Sequence, residues 1–168
     1  MSECQGRGKT LHIDYSKCIG CETCEAVCGF LYDTPRIAMA RTNDGQMIPI
    51  YCQHCEQAHC MKVCNRGALM RDRDGAVVLQ PMLCRGCETR NCVIACPYAA
   101  FFATDRGVAV RKCDLCVGRR AVGLGPACAE MCPCGAIRFA DRDELDELET
   151  EASREARDRV LAHIRPKK

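Results

Sequence analysis

The sequence predicts a small α+β protein in which short β-hairpins and single-turn helices surround four groups of cysteines, followed by a long C-terminal helix. Three observations predict it. Eighteen of the 168 residues are cysteine, a density at which cysteine chemistry, not an apolar core, organises the chain. Sixteen of these recur in four groups with related spacings. Between the groups lie short alternating stretches with turn signals, whereas residues 141–168 contain no cysteine and read as helix. The length suits one compact domain, or two very small ones sharing an interface.

Charge and compartment narrow the function. Lys and Arg number 24 against 22 Asp and Glu, a formal +2, which gives no support for a nucleic-acid binder. Residues 1–17 hold no apolar stretch and no twin arginine, so a cytoplasmic location is expected. The longest apolar run, Cys92 to Phe102, contains Pro97 and is too short to span a bilayer; no membrane insertion is expected. In a reducing compartment, cysteines in such numbers read as metal ligands before disulfides.

Along the chain, Leu11-His12-Ile13 reads as an outer strand. The first group follows at Cys18, Cys21, Cys24 and Cys28, spaced C-x2-C-x2-C-x3-C. The second is Cys52, Cys55, Cys60 and Cys64, with spacing C-x2-C-x4-C-x3-C. Ala68–Arg71 and Ala76–Leu79 then form a hairpin about Asp74-Gly75. The third group, Cys84, Cys87, Cys92 and Cys96, repeats the second spacing. Ala100–Ala103 and Val108–Val110 make another hairpin about Arg106-Gly107. The fourth group is Cys113, Cys116, Cys128 and Cys132, with eleven residues between its second and third members. Ile137-Arg138-Phe139 matches the first strand. Group starts at 18, 52, 84 and 113 make an internal repeat of roughly thirty residues.

Residues 141–165 are rich in Glu, Arg, Leu and Ala without Gly or Pro. Asp141 and Glu144 suit an N-cap and its reciprocal partner. Leu145, Leu148, Ala152, Ala156, Val160 and Ile164 form a narrow apolar stripe. Such a helix either packs on its own domain or docks on a partner, a second copy of the chain included.

The spacings point to iron–sulfur chemistry. A cubane cluster needs four thiolates around a compact core, and cysteines two residues apart wrap a loop over its corners. The fourth, after three intervening residues, begins a helical turn and suits a neighbouring cluster, the arrangement of two-cluster ferredoxins. Pro97 and Pro133 follow Cys96 and Cys132 as in those proteins, while Gly29 and Asn65 stand after Cys28 and Cys64. Zinc is the competing reading, but each C-x2-C pair is extended by two further cysteines, and His12, His54, His59 and His163 complete no finger. His54 and His59 read as groups tuning the sulfurs by hydrogen bonding. Cys4 and Cys134, outside the repeat, read as buried inert thiols. Four clusters at about −2 each would turn the formal +2 into about −6, which Arg66, Arg85, Arg90, Arg111, Arg119 and Arg120 would partly offset. No G-x-G-x-x-G, P-loop or C-x-x-C-H occurs.

These groups, with the long insert of the fourth (KCDLCVGRRAVGLGPACAEMCPCGAI), resemble the four-cluster ferredoxin-like electron-transfer subunits of dimethyl sulfoxide reductase, formate hydrogenlyase and carbon monoxide dehydrogenase systems, and small iron–sulfur subunits of tungsten aldehyde oxidoreductases. The resemblance covers Leu11 to Phe139 and implies two ferredoxin-like modules, an outer one (11–50 with 105–140) and an inner one (51–104), within residues 1–140, and a C-terminal helical arm at 141–168. It implies four [4Fe–4S] clusters with nested ligand sets: Cys18, Cys21, Cys24 with Cys132; Cys113, Cys116, Cys128 with Cys28; Cys52, Cys55, Cys60 with Cys96; and Cys84, Cys87, Cys92 with Cys64. Pairing of the first group with the second is the alternative. The implied function is non-catalytic: relay of single electrons between a catalytic oxidoreductase subunit, such as a molybdenum or tungsten enzyme, carbon monoxide dehydrogenase or hydrogenase of anaerobic metabolism, and a second electron donor or acceptor. A free-standing polyferredoxin and a structural zinc module are the alternatives.

Overall fold

The computed structural model describes residues 8–42, 44–104 and 110–164. Four antiparallel two-stranded ladders punctuate the chain. β1 (Lys9–Ile13) pairs with β8 (Ile137–Asp141), joining the two ends of the cysteine repeat. Its register sets Ile13 opposite Ile137 and Leu11 opposite Phe139, which places the alternating apolar residues of both strands on one buried face. β4 (Leu69–Arg71) and β5 (Val77–Leu79) form the expected hairpin around Asp74-Gly75, with Gly75 at φ +81°. β6 (Phe102–Ala103) pairs with β7 (Val110–Arg111); the expected turn at Arg106-Gly107 lies outside the described residues. A further hairpin, β2 (Ala38–Arg41) with β3 (Met47–Ile50), lacks a clear alternating pattern and carries Pro49. It is an edge element that sequence periodicity does not reveal.

Most helices of the cysteine repeat carry cysteines. α1 (Thr23–Tyr32) runs ten residues instead of a single turn and buries Cys24 and Cys28 on one face. α2 (His59–Lys62), α3 (Pro81–Cys84), α4 (Asn91–Ile94), α5 (Val117–Arg120) and α6 (Ala127–Glu130) are one turn each. α1 packs on α6 and α2 on α4. Two buried clusters of side chains result. One joins Leu11, Ile13, Ile37, Tyr51, Leu115 and Ile137 with Cys24, Cys28 and Cys128. The other joins Leu69, Val77, Phe101 and Val110 with Cys84 and Cys92. Large apolar residues are few, so thiols fill positions that leucine or valine would occupy elsewhere.

The C-terminal stretch departs from the single long helix expected over 141–165. Asp141 remains in β8 and makes an ion pair with Lys9 at 3.6 Å; its side chain caps nothing. A 3-10 turn (Arg142–Glu144) and α7 (Leu145–Leu148) follow, and the chain breaks at Glu149, whose ψ is +105°. Thr150 then starts α8 (Glu151–Ile164): its hydroxyl accepts the Ser153 N–H at 3.1 Å, and its carbonyl accepts the Arg154 N–H. A threonine offering its side chain to the backbone stops one helix and caps the next. Ala156 is buried as the stripe predicts, whereas Ser153 takes the inward place expected for Ala152, which is exposed. Arg157 returns to pair with Glu149 across the break. Leu145, Glu149 and Arg157 line a cleft with Leu11, His12 and Tyr51, so the arm lies against its own body. Among the described residues no helix is long and apolar enough to cross a membrane.

Candidate metal centres

Each cysteine group opens with the same backbone device. In the first C-x2-C pair of every group, the residue just before the second cysteine adopts positive φ: Gly20 at +68°, His54 at +46°, Gly86 at +68° and Leu115 at +54°. Two of these are glycines, which adopt this region freely; His54 and Leu115 hold it at a cost of order 1 kcal/mol. A left-handed residue after right-handed neighbours turns successive N–H groups toward one concavity, the kind of nest that suits anionic and iron–sulfur groups. N–H groups do reach sulfur here. Residue 54 donates to Cys52 Sγ at 3.4 Å and residue 115 to Cys113 Sγ at 3.4 Å. Arg36 donates to Cys28 Sγ at 3.2 Å and Ala68 to Cys64 Sγ at 3.3 Å.

The third and fourth cysteines of a group are four residues apart, and Cys24 and Cys28 both lie on α1, on one face about 6 Å apart along its axis. They nevertheless line different cavities. Cys28 lines one with Cys113, Cys116 and Cys128. Cys24 lines another with Cys18, Cys21 and Cys132. Cys64 lines a third with Cys84, Cys87 and Cys92. The remaining thiols lie within electrostatic reach of one another: burial, then Cys52, then Cys96 push the Cys55 thiol up, and burial and Cys52, with Cys96 behind them, push Cys60 up to about 11.

The cavities adjoin one another. Burial raises Cys24 to about 12, with Cys18 and Cys21 adding to it. Cys128 is raised by burial, then by Cys113, Cys116, Cys28 and Cys24. Cys113 is raised by burial and by Cys52, against the opposing charge of Lys112. Cys92 is pushed up to about 11 by burial, then by Cys64, Cys84, Cys87 and Cys60. Cys24 and Cys128 share one buried cluster, Cys60 and Cys92 share the other, and Cys113 is within electrostatic reach of Cys52. Thiols this crowded resist ionisation on their own, and a cationic metal core reverses that balance. Among the described residues, no three His, Cys, Asp or Glu side chains converge as a single metal ion requires. In three of the sets at least four thiols line a common cavity, which suits a polynuclear core.

Several groups at these sites were not legible in the sequence. Lys112 is 2% exposed, donating to the carbonyls of Val77 and Cys113 at the junction between the Cys113 and Cys52 sets. Asp114 accepts from Arg36 at 2.5 Å and from Tyr32 at 3.0 Å, beside the Cys28 site, and Arg36 stacks on the Tyr32 ring. His54 is fully buried, as a sulfur-tuning group would be, but its Nδ1 accepts the Val77 N–H; His59 is exposed. Of the arginines expected to offset cluster charge, Arg119 pairs with Glu130 and Arg120 with Asp72 and Asp74, whereas Arg66 and Arg90 line the Cys64 cavity. Cys134 is half-buried, not buried, and lines the Cys18 cavity. Cys4 lies outside the described residues.

Comparison with known proteins agrees with this geometry. A family model for a 4Fe-4S dicluster domain matches residues 43–142, and one for a 4Fe-4S binding domain matches residues 11–30. The thiosulfate reductase electron transfer subunit PhsB of Salmonella typhi is 33% identical, covering 79% of this chain and 76% of its own. The B subunit of the anaerobic dimethyl sulfoxide reductase of Escherichia coli (strain K12) is 37% identical, over 79% of this chain and 73% of its own. The electron transport protein HydN of the same organism is 37% identical, over 84% and 93% respectively.

Proposed function

The chain belongs to the 4Fe-4S dicluster family, and on that premise we propose that it conducts single electrons through a row of four [4Fe–4S] sites between a catalytic oxidoreductase subunit and a second redox partner. It is an iron–sulfur electron-transfer subunit, not a catalytic one, as its relatives are by name. The observation that carries the row is its continuity: Cys24 and Cys128 share one buried cluster, Cys60 and Cys92 share the other, and Cys113 lies within electrostatic reach of Cys52.

Three of the ligand sets follow the cavities, and the other takes the four thiols that remain. Cys18, Cys21, Cys24 and Cys132 hold the first site, and Cys28, Cys113, Cys116 and Cys128 the second. Cys52, Cys55, Cys60 and Cys96 hold the third, and Cys64, Cys84, Cys87 and Cys92 the fourth. The shared linings support this nesting over pairing of the first group with the second. A bound [4Fe–4S] cluster supplies one-electron oxidation and reduction at each site. The chain's own residues fix the thiolates, aim backbone N–H groups at sulfur, and exclude water with Leu11, Ile37, Leu69 and Val110. The first two sites share the apolar cluster around Leu11 and the last two the one around Val77, which supports an outer and an inner module.

Partners fit the two ends of the row. Ile19 and Met131, at 69% and 57% exposure, flank the first site, and Met82 and Ile94, at 77% and 85%, flank the fourth. Apolar side chains this exposed beside terminal sites suit docking faces. The arm lies on its own body, which favours self-packing over self-association; a protein truncated at residue 141 that still forms its complexes would support this. The sequence favours a cytoplasmic setting. Iron, sulfide and zinc analysis of anaerobically purified protein tests the reading. About sixteen iron and sixteen sulfide per chain, with coupled EPR signals on reduction, is the expected result. About four zinc without sulfide would overturn it.

A further inference from the structure

We propose that Cys134 is a reserve ligand of the first site, able to take the place of Cys132. The inference rests on the ligand assignment above, and its starting point is the content of one cavity. The space lined by Cys18, Cys21, Cys24 and Cys132 is also lined by Cys134, so five thiols face a site that uses four. The Cys28 and Cys64 cavities each have four.

Cys134 Sγ stands 3.7 Å from Cys132 Sγ. That is close to the separation of two thiolates sharing one metal ion, so a small shift exchanges one for the other. Pro133 alone separates them, and Gly135 at φ +62° turns the backbone immediately afterwards. Both sulfurs are therefore held in one tight turn, between α6 and the start of β8. Exposure agrees as well. Cys134 is half-buried like Cys18 and Cys132, whereas a thiol kept only for packing is among the most buried residue types.

The exchange is redox-neutral. An iron–sulfur bond to Cys132 breaks as one to Cys134 forms; Cys134 gives up its thiol proton and Cys132 takes one. Its consequence is retention of the first site, which has the exposed Cys21 at its rim, when Cys132 is modified or displaced.

The test uses the full chain, purified without oxygen, as Cys132→Ala, Cys134→Ala and the double variant, with Cys28→Ala as the control for a site with four thiols. Iron and sulfide content and the EPR spectrum of the reduced protein are measured for each. Both single variants should keep the wild-type iron content, Cys132→Ala with one altered cluster signal and Cys134→Ala with none. The double variant and Cys28→Ala should lose iron, with the signals of the other sites showing that the chain remains folded. Iron loss in Cys132→Ala equal to that of the double variant overturns the proposal, and so does a double variant that keeps full iron. A wild-type protein with less than about sixteen iron would instead fail the four-site reading, so the two failures are distinct.

Discussion

The backbone N–H of Val77 donates to Nδ1 of His54 at 3.0 Å, inside the protein, across from the loop that carries Cys52 and Cys55. The bond ties the hairpin of β4 and β5 to a cysteine loop, and it assigns the ring proton to Nε2, since a neutral imidazole that accepts at one nitrogen donates at the other. Nε2 is buried with no partner among the described residues. His54→Ala leaves the Val77 N–H orphaned and opens a cavity, so a loss of about 2–4 kcal/mol is expected. The denaturant midpoint for bleaching of cluster absorbance should fall accordingly; an unchanged midpoint would show that the loop does not depend on this bond.

Arg120 fastens the fourth cysteine group to the same hairpin. Its side chain is 6% exposed, pairs with Asp72 at 2.5 Å and with Asp74, and donates to the Leu115 carbonyl at 2.8 Å. Breaking a buried pair by removing one partner strands the other, so Arg120→Ala should cost about 3 kcal/mol or more. Asp72→Asn, which keeps the shape, should cost less. Thermal unfolding of the two variants decides the order.

Acid should weaken the fold through His12. Burial is the largest influence and lowers its pKa below the usual 6.5; Arg138 and Arg157 add to this, while Glu149 and Asp14 oppose it. The folded chain therefore keeps His12 neutral where the unfolded chain has taken a proton. Stability is lost as pH falls from 6.5 toward the lower folded value, and no more is lost below it. The drop in melting temperature between pH 7.5 and 5.5 should be smaller in His12→Gln than in wild type. An equal drop would exclude His12 as a source of it.

The two loop glycines should not be equivalent. Gly20 and Gly86 share φ +68°, which costs any other residue about 1–2 kcal/mol. A Cβ at Gly20 would stand 2.8 Å from the Met47 Cβ, whereas at Gly86 nothing lies within 4 Å. Gly20→Ala should thus destabilise more and lose iron from the first site sooner on exposure to a chelator. Equal rates of chelator release in the two variants would contradict the packing at Met47.

Neighbours on a helix should belong to different sites. Cys24→Ala with Cys28→Ala, one turn apart on α1, should disturb two sites; Cys28→Ala with Cys113→Ala, distant in sequence, should disturb one. EPR of the reduced proteins would then show two signals lost in the first pair and one in the second. The reverse pattern would restore sequential pairing.

Much of this protein is decided locally and so can be read from its sequence. The cysteine spacings define four loops, alternation defines β1, β8 and the β4–β5 hairpin, and the thiol count excludes a conventional core. Each of these depends on residues a few positions apart. What the tertiary structure decided depends on residues far apart in the chain. Cys28 meets Cys113 because α1 packs on α6, and the N–H of Val77 reaches His54 because a hairpin folds onto a loop. Lys112 is buried at the junction of two sites, its charge facing thiols that no spacing rule places beside it. Thr150 splits the C-terminal helix because its hydroxyl has a backbone N–H to cap, a local preference that the acidic and apolar pattern around it conceals. Cys134 is visible in the sequence as an extra thiol, but whether it packs or ligates depends on where the turn after α6 aims its sulfur. Periodicity sets which face of an element is apolar; the partner that covers that face is chosen by packing between elements, and on that choice the grouping of the thiols depends.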